Sequence, residues 1–113
     1  MDCIFCKIAN KEIPSNIVFE DDDVIAFNDL NPEAPVHVLV IPKKHIASLS
    51  DAKPEDQQLL GKLMLTIQKI AAEQGIAENG YRVVTNCGEQ GGQTVMHLHF
   101  HLLGGREMLW PAG

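Results

Sequence analysis

Three histidines stand at every second position, His97, His99 and His101, with Met96, Leu98, Phe100 and Leu102 interleaved. In a strand, side chains alternate between faces. The apolar residues would then share one face and the imidazoles the other, about 7 Å apart for a rise of about 3.3 Å per residue. A lone strand histidine is ordinarily structural, but three in strict alternation, in a chain with five in all, form a reactive array. At its ordinary pKa of about 6.5 an imidazole is roughly three-quarters neutral at pH 7, so it can attack without a dedicated base. Flanking imidazoles disfavour further protonation and keep the middle one nucleophilic.

The preceding loop, Asn86-Cys87-Gly88-Glu89-Gln90-Gly91-Gly92-Gln93-Thr94, sharpens this reading. Gly88, Gly91 and Gly92 let backbone N–H groups turn inward as an anion nest, and Gln93 and Thr94 add side-chain donors. Such a loop alone is an ordinary turn. Joined to the histidines, it supplies a nucleophile beside fixed donors for a developing oxyanion, as phosphoryl or acyl transfer requires. His-x-His can also chelate one metal, so a three-histidine catalytic zinc site is a competing reading. Cys3-x-x-Cys6 offers two more thiolates at metal-chelating spacing, though a closed tetrahedral site needs two further ligands.

These residues need a scaffold. Ile17-Val18-Phe19 and Val24-Ile25-Ala26-Phe27 flank Asp21-Asp22-Asp23 and read as a hairpin. Val36 to Ile41, stopped by Pro42, reads as a third and central strand. After Pro54, Leu59, Leu60, Leu63, Met64, Ile67, Ile70 and Ala71 recur at helical steps, with Gly75 as the cap. That one long helix packs its stripe on the sheet. Tyr81 to Thr85 reads as a fourth strand and about Val95 to Leu103 as a fifth, ending at Gly104-Gly105. The tail from Arg106 to Gly113 holds Trp110-Pro111 and has no usable periodicity.

With 113 residues and 12.4 kDa, positions 1–113 form one domain. A 45% hydrophobic, 21% charged composition can build a core. Net charge −6 argues against broad binding to nucleic acid or anionic membrane, so a phosphate ligand must be held locally. The start, Met1 to Lys7, lacks a secretory signal, and no apolar run approaches a membrane span. A cytoplasmic location, with the nucleus also open to it, is expected. Three cysteines without an export signal make a disulfide framework improbable.

The segment Gly91 to Leu103 resembles the signature of the histidine-triad (HIT) family, His-x-His-x-His followed by apolar residues. The likeness takes in Ile4-Phe5-Cys6-Lys7-Ile8, Glu12-Ile13-Pro14, Phe27-Asn28-Asp29, Ala34 to His45 and Gly104 to Pro111. The closing segment resembles the Hint branch, nucleoside phosphoramidases, more than the Fhit branch, dinucleoside polyphosphate hydrolases. The resemblance implies an α+β fold: a five-stranded antiparallel sheet, one long helix and a short N-terminal helix. It implies a homodimer too, which a helix stripe and an edge strand hard to cover in so short a chain also favour. By resemblance, His99 attacks the α-phosphorus of a purine nucleotide to form a nucleotidyl-histidine that water cleaves. His101 and His37 match histidines that orient the nucleophile and contact phosphate. Asn86, Gly92 and Thr94 match phosphate-pocket positions, and Gln93 is counted with them. Asp29 matches the acid that binds the ribose hydroxyls, with Phe27 and Leu30 near the base, although Asn28-Asp29 before Pro32 also reads as turn chemistry.

Some HIT relatives, and the related galactose-1-phosphate uridylyltransferases, combine a cysteine pair with histidines like His45 and His97, which implies structural zinc on Cys3, Cys6, His45 and His97. If His97 holds zinc, it cannot also act as the acid assigned to its counterpart in some members. The expected substrate is a purine nucleoside 5′-phosphoramidate such as AMP joined to an amine, because the tail with Trp110-Pro111 is expected to fold back beside the site and restrict the leaving group. A dinucleoside polyphosphate hydrolase and a nucleotide-binding, zinc-stabilised adaptor are the alternatives.

Overall fold

A computed structural model describes residues 3–113; Met1 and Asp2, which open the supposed leaderless start, lie outside them. The hairpin forms as expected from β1 (Ile17–Glu20) and β2 (Val24–Asn28), with Asp21 Oδ1 accepting the N–H groups of Asp23 and Val24 across the turn. Three further strands, β3 (Val36–Pro42), β4 (Tyr81–Val84) and β5 (Phe100–Gly104), complete a five-stranded sheet. Its order is β1-β2-β3-β5-β4 and every pairing is antiparallel. β3 is central and buried along almost its whole length.

Strand alternation divides the interior in two. Val24, Ala26, Val38, Val40, Phe100 and Leu102 point to one face. There they meet α2 (Gln57–Glu73), whose Leu63, Ile67, Ile70 and Ala71 are buried. Ile25, Phe27, Leu39 and Ile41 point to the other face and meet α1 (Ile4–Ala9) through Phe5, Ile8 and Ala9. The stripe expected to need a partner is thus mostly covered within the chain; Met64 and Leu65 on α2, with Tyr81 and Val83 on β4, stay exposed. α2 stops in a Schellman turn: Ile76 N donates to Ala71 O, Gly75 N to Ala72 O, and Gly75 takes φ +77°, which glycine adopts at no steric cost. Among the described residues no helix is long and apolar enough to cross a membrane.

Candidate active site and metal centre

The fifth strand is shorter than its sequence pattern suggests, beginning at Phe100 rather than Val95. Pairing runs from Val36 opposite Gly104 to Val40 opposite Phe100, and the next steps along β3 arrive at Pro42, which has no N–H to give. The Pro42 carbonyl instead accepts from His97 Nε2 at 2.8 Å, and Leu98 N donates to Ile46 O at 2.6 Å. Only His101 of the three histidines therefore lies on a regular strand. The alternation survives in part: Leu98, Phe100 and Leu102 enter the α2-side core, while Met96 is 54% exposed. His99 and His101 lie with ring centroids 5.1 Å apart, closer than strand spacing, and Phe5 of α1 stands edge-on to His99 at 5.1 Å.

Hydrogen-bond partners assign the protons on this array. A carbonyl can only accept, so His99 Nδ1–H donates to His97 O at 2.7 Å and neutral His99 keeps its lone pair on Nε2. Glu33 N–H donates to His37 Nδ1 at 3.0 Å, so the hydrogen of neutral His37 is on Nε2, 2.9 Å from His101 Nδ1. His101 accepts there and carries its own hydrogen on Nε2. Burial, then the neighbouring His99 and His37, lowers His101 to about 4, so it is neutral at pH 7. The buried chain thus ends in one unprotonated nitrogen and one donor. Asp29 joins it, with Oδ1 accepting from Asn31 N at 2.8 Å and Oδ2 3.4 Å from His37 Nε2.

His99 and His101 open into a cavity of about 380 Å³ whose wall includes Phe27, Asp29, Leu30 and Thr94, as the sequence led us to expect. Phe5, Ile8, Ile13 and Leu39 also line it and were missed; the amphipathic spacing Ile4-Phe5-x-x-Ile8 just before Glu12-Ile13-Pro14 was the available signal. A larger groove of about 560 Å³ is lined by none of the histidines. Its Lys44 and Lys62 are paired with Asp56, Asp21 and Asp23, which leaves it little chemistry.

The glycine loop is tightly built. A Cβ on Gly91 would stand 2.2 Å from Cys87 O, and Gly88 and Gly92 take φ +75° and +79°. Gln93 is a correction: instead of facing a ligand it is buried, donating through Nε2 to Ala47 O and Val95 O and accepting Gly88 N–H at Oε1. Asn86 spends Nδ2 on Gly91 O, and neither it nor Gly92 lines the cavity. Both shape the loop. Trp110 is a second correction. It is 82% exposed and lies over Arg82 of β4 at 5.1 Å, while Arg82 Nη1 donates to Leu109 O, so the tail stays out of this chain's cavity.

His97 faces away from the cavity and is fully buried. Its Nε2 is committed to Pro42 O, and its Nδ1 lies 3.2 Å from Cys3 Sγ, 3.5 Å from Cys6 Sγ and 3.2 Å from His45 Nδ1. Both nitrogens of His97 are thus engaged away from His99 and His101, and the three triad histidines do not converge on one point. The four ligand atoms of Cys3, Cys6, His45 and His97 lie within 4.8 Å of one another. Ideal tetrahedral zinc would separate S from N by about 3.5 Å and N from N by about 3.3 Å, near the distances seen. One lone pair on His97 Nδ1 cannot satisfy three close neighbours, whereas one cation between them satisfies all four. Burial, then the adjacent Cys3, pushes the Cys6 thiol up to about 11, a cost of crowding sulfurs that a divalent cation removes. The residues fit zinc, and the Pro42 carbonyl is the outer contact that fixes the His97 tautomer. Zinc there would supply folding energy and no reacting atom.

Comparison with known proteins agrees with this geometry. The HIT domain family matches residues 10–108. An uncharacterized HIT-like protein of Synechococcus elongatus is 59% identical over 112 residues, covering 99% of this chain and 97% of that one. The crystal structure of a HIT family hydrolase from Legionella pneumophila superposes with TM-score 0.98 at 51% identity, covering 99% of this chain and all of that one. A histidine triad nucleotide-binding protein from Candida albicans gives TM-score 0.84 at 35% identity over 99% of this chain and 85% of that one.

Proposed function

Since the chain belongs to the HIT domain family, we propose that it is a hydrolase that cleaves purine nucleoside 5′-phosphoramidates at the α-phosphorus through a nucleotidyl intermediate on His99. The observation that carries this reading is the His99 Nδ1–H bond to His97 O, which leaves the Nε2 lone pair in the cavity. Attack by Nε2 forms a P–N bond as the substrate's own P–N bond breaks. The amine leaves with that electron pair and takes a proton from solvent at the open mouth of the cavity, since neither nitrogen of His97 is available. Positive charge developing on His99 is stabilised by the His97 carbonyl at Nδ1–H, and His101 Nε2–H is the donor for a phosphoryl oxygen. Water then attacks phosphorus, the P–N bond to His99 breaks, and AMP is released.

Phe5, Ile8, Phe27 and Leu39 supply an apolar slot for the base, Asp29 accepts the ribose hydroxyls, and Thr94 adds a hydroxyl at the phosphate end. A cavity of about 380 Å³ suits one nucleotide, at the low end of the roughly 300–1,000 Å³ of small-ligand sites, so a small amine is favoured over a second nucleotide as leaving group. Zinc on Cys3, Cys6, His45 and His97 is structural. The working form is a cytoplasmic homodimer, supported by exposed Leu65, Tyr81 and Val83.

The test is acid-quench trapping with AMP joined to an amine. A mass gain of one AMP on the peptide containing His99, and less than a few per cent of the wild-type rate in His99→Ala with nucleotide binding kept, are expected. A protein that binds AMP and never turns over is the adaptor instead. Faster cleavage of a diadenosine polyphosphate moves the chain to the other branch.

A further inference from the structure

The only hydrogen on His37 Nε2 is bonded on one side and attracted electrostatically on another, and the two groups belong to different parts of the site. One is His101 Nδ1 at 2.9 Å, beside the nucleophile; the other is Asp29 Oδ2 at 3.4 Å, at the sugar end of the cavity. His37 cannot supply a second hydrogen, because its Nδ1 already accepts Glu33 N–H, and it is too buried to recruit water freely. Nor can Asp29 swing away, since Oδ1 is held by Asn31 N–H and its own backbone N–H donates to His37 O at 3.0 Å. The carboxylate therefore pulls electrostatically on a hydrogen that is bonded to His101.

We propose that Asp29 is a positioning residue for the triad as well as a sugar contact: ribose hydroxyls that donate to its Oδ2 offset this pull and strengthen the His37 hydrogen bond to His101. This rests on the proposed reading of Asp29 as the ribose acceptor. With Nδ1 fully engaged, the His101 ring is fixed in orientation, and its Nε2–H is aimed for the phosphoryl oxygen beside His99. An empty or deoxygenated sugar end leaves the hydrogen under that pull and the His101 ring less constrained. The sugar is thus reported to the reacting end through two imidazoles, His37 buried and His101 half-buried, without movement of the backbone.

A role confined to sugar binding changes KM alone; positioning changes kcat too. With wild-type protein, the 2′-deoxy and 3′-deoxy forms of the AMP phosphoramidate should lose roughly three- to tenfold in kcat, the worth of about one hydrogen bond, in addition to any change in KM. In Asp29→Asn, whose amide oxygen keeps the Asn31 turn, the kcat for ribose and deoxyribose substrates should become equal.

A second measurement needs no turnover. In protein labelled with 15N-histidine, saturating adenosine should move the His101 Nδ1 and His37 Nε2 resonances, 2′-deoxyadenosine should move them less, and Asp29→Asn should abolish the difference. Equal kcat for ribose and deoxyribose substrates in wild-type protein, or identical imidazole shifts with the two nucleosides, would overturn the inference and leave the His99 mechanism intact. Distinct shifts in a protein without phosphoramidase activity would sustain the coupling and overturn the proposed substrate.

Discussion

Replacing Phe5 by Ala tests whether α1 and the metal cluster act as one unit. Phe5 is 7% exposed and meets three rings edge-on: Phe27 at 5.5 Å, His99 at 5.1 Å and His97 at 6.0 Å. Burial of a phenylalanine is worth about 1.5–3 kcal/mol, and edge-on ring pairs add about 0.5–1.5 kcal/mol each. Phe→Ala in sealed cores costs about 3–5 kcal/mol; Phe5 also lines an open cavity, so we take about 3 kcal/mol. For a chain of this length that lowers Tm by roughly 12 °C. The decisive assay is urea unfolding of zinc-loaded protein, with Phe5→Ala measured alone and combined with Cys3→Ser and Cys6→Ser. If the cluster clamps α1 to the sheet, its loss lets α1 leave first, and Phe5→Ala then costs less than about 1 kcal/mol in the serine background. Contacting groups couple in this way, whereas independent ones add. Equal costs in the two backgrounds would mean that α1 stays docked without the cluster, and the clamp would be refuted.

Protein purified without chelators should contain about one zinc per chain, absent from the Cys3→Ser, Cys6→Ser variant by elemental analysis; a zinc-free wild type would contradict the site. His101 is held near 4 in the fold, below its ordinary 6.5. The unfolded chain therefore binds the extra proton first, and the stability from neutral His101, complete above about pH 6.5, is lost as pH falls toward 4. Thermal melts from pH 7 to 4.5 should fall more steeply in wild type than in His101→Gln, and parallel slopes would contradict it. Gly91→Ala should cut the phosphoramidase rate at least tenfold, because its Cβ would stand 2.2 Å from Cys87 O and the loop must open. An unchanged rate would show that the loop geometry is not needed.

The fold was legible because it is written in periodicity. The two apolar runs around Asp21-Asp22-Asp23, the β-branched run from Val36 and the stripe from Leu59 to Ala71 each state a local period and a buried face. The fifth strand misled for a reason that no local pattern contains. Met96 to Leu102 alternates as a strand should, yet the neighbour that must pair with its first half ends in Pro42, and only the sheet order shows which strand that neighbour is. Propensity gave way there to the donor lost at one distant residue.

Pro42 itself also organises the site. Freed from the ladder, the Pro42 carbonyl takes the Nε2–H of His97 and turns its Nδ1 toward Cys3, Cys6 and His45, while the His97 carbonyl takes the Nδ1–H of His99. One residue thus separates the two roles that the triple-histidine spacing had left entangled: its ring joins the Cys3-Cys6-His45 cluster and its backbone orients the proposed nucleophile. Residue spacing can propose that His97, His99 and His101 work together, and resemblance can propose His45 as a ligand. Which nitrogen carries each proton is decided by backbone groups, the accepting carbonyls of Pro42 and His97 and the donating N–H of Glu33, and those are set by tertiary pairing. Gln93 makes the same point in reverse, since a donor-bearing side chain beside a phosphate-type loop is consumed by Ala47, Val95 and Gly88 in order to hold that loop in shape.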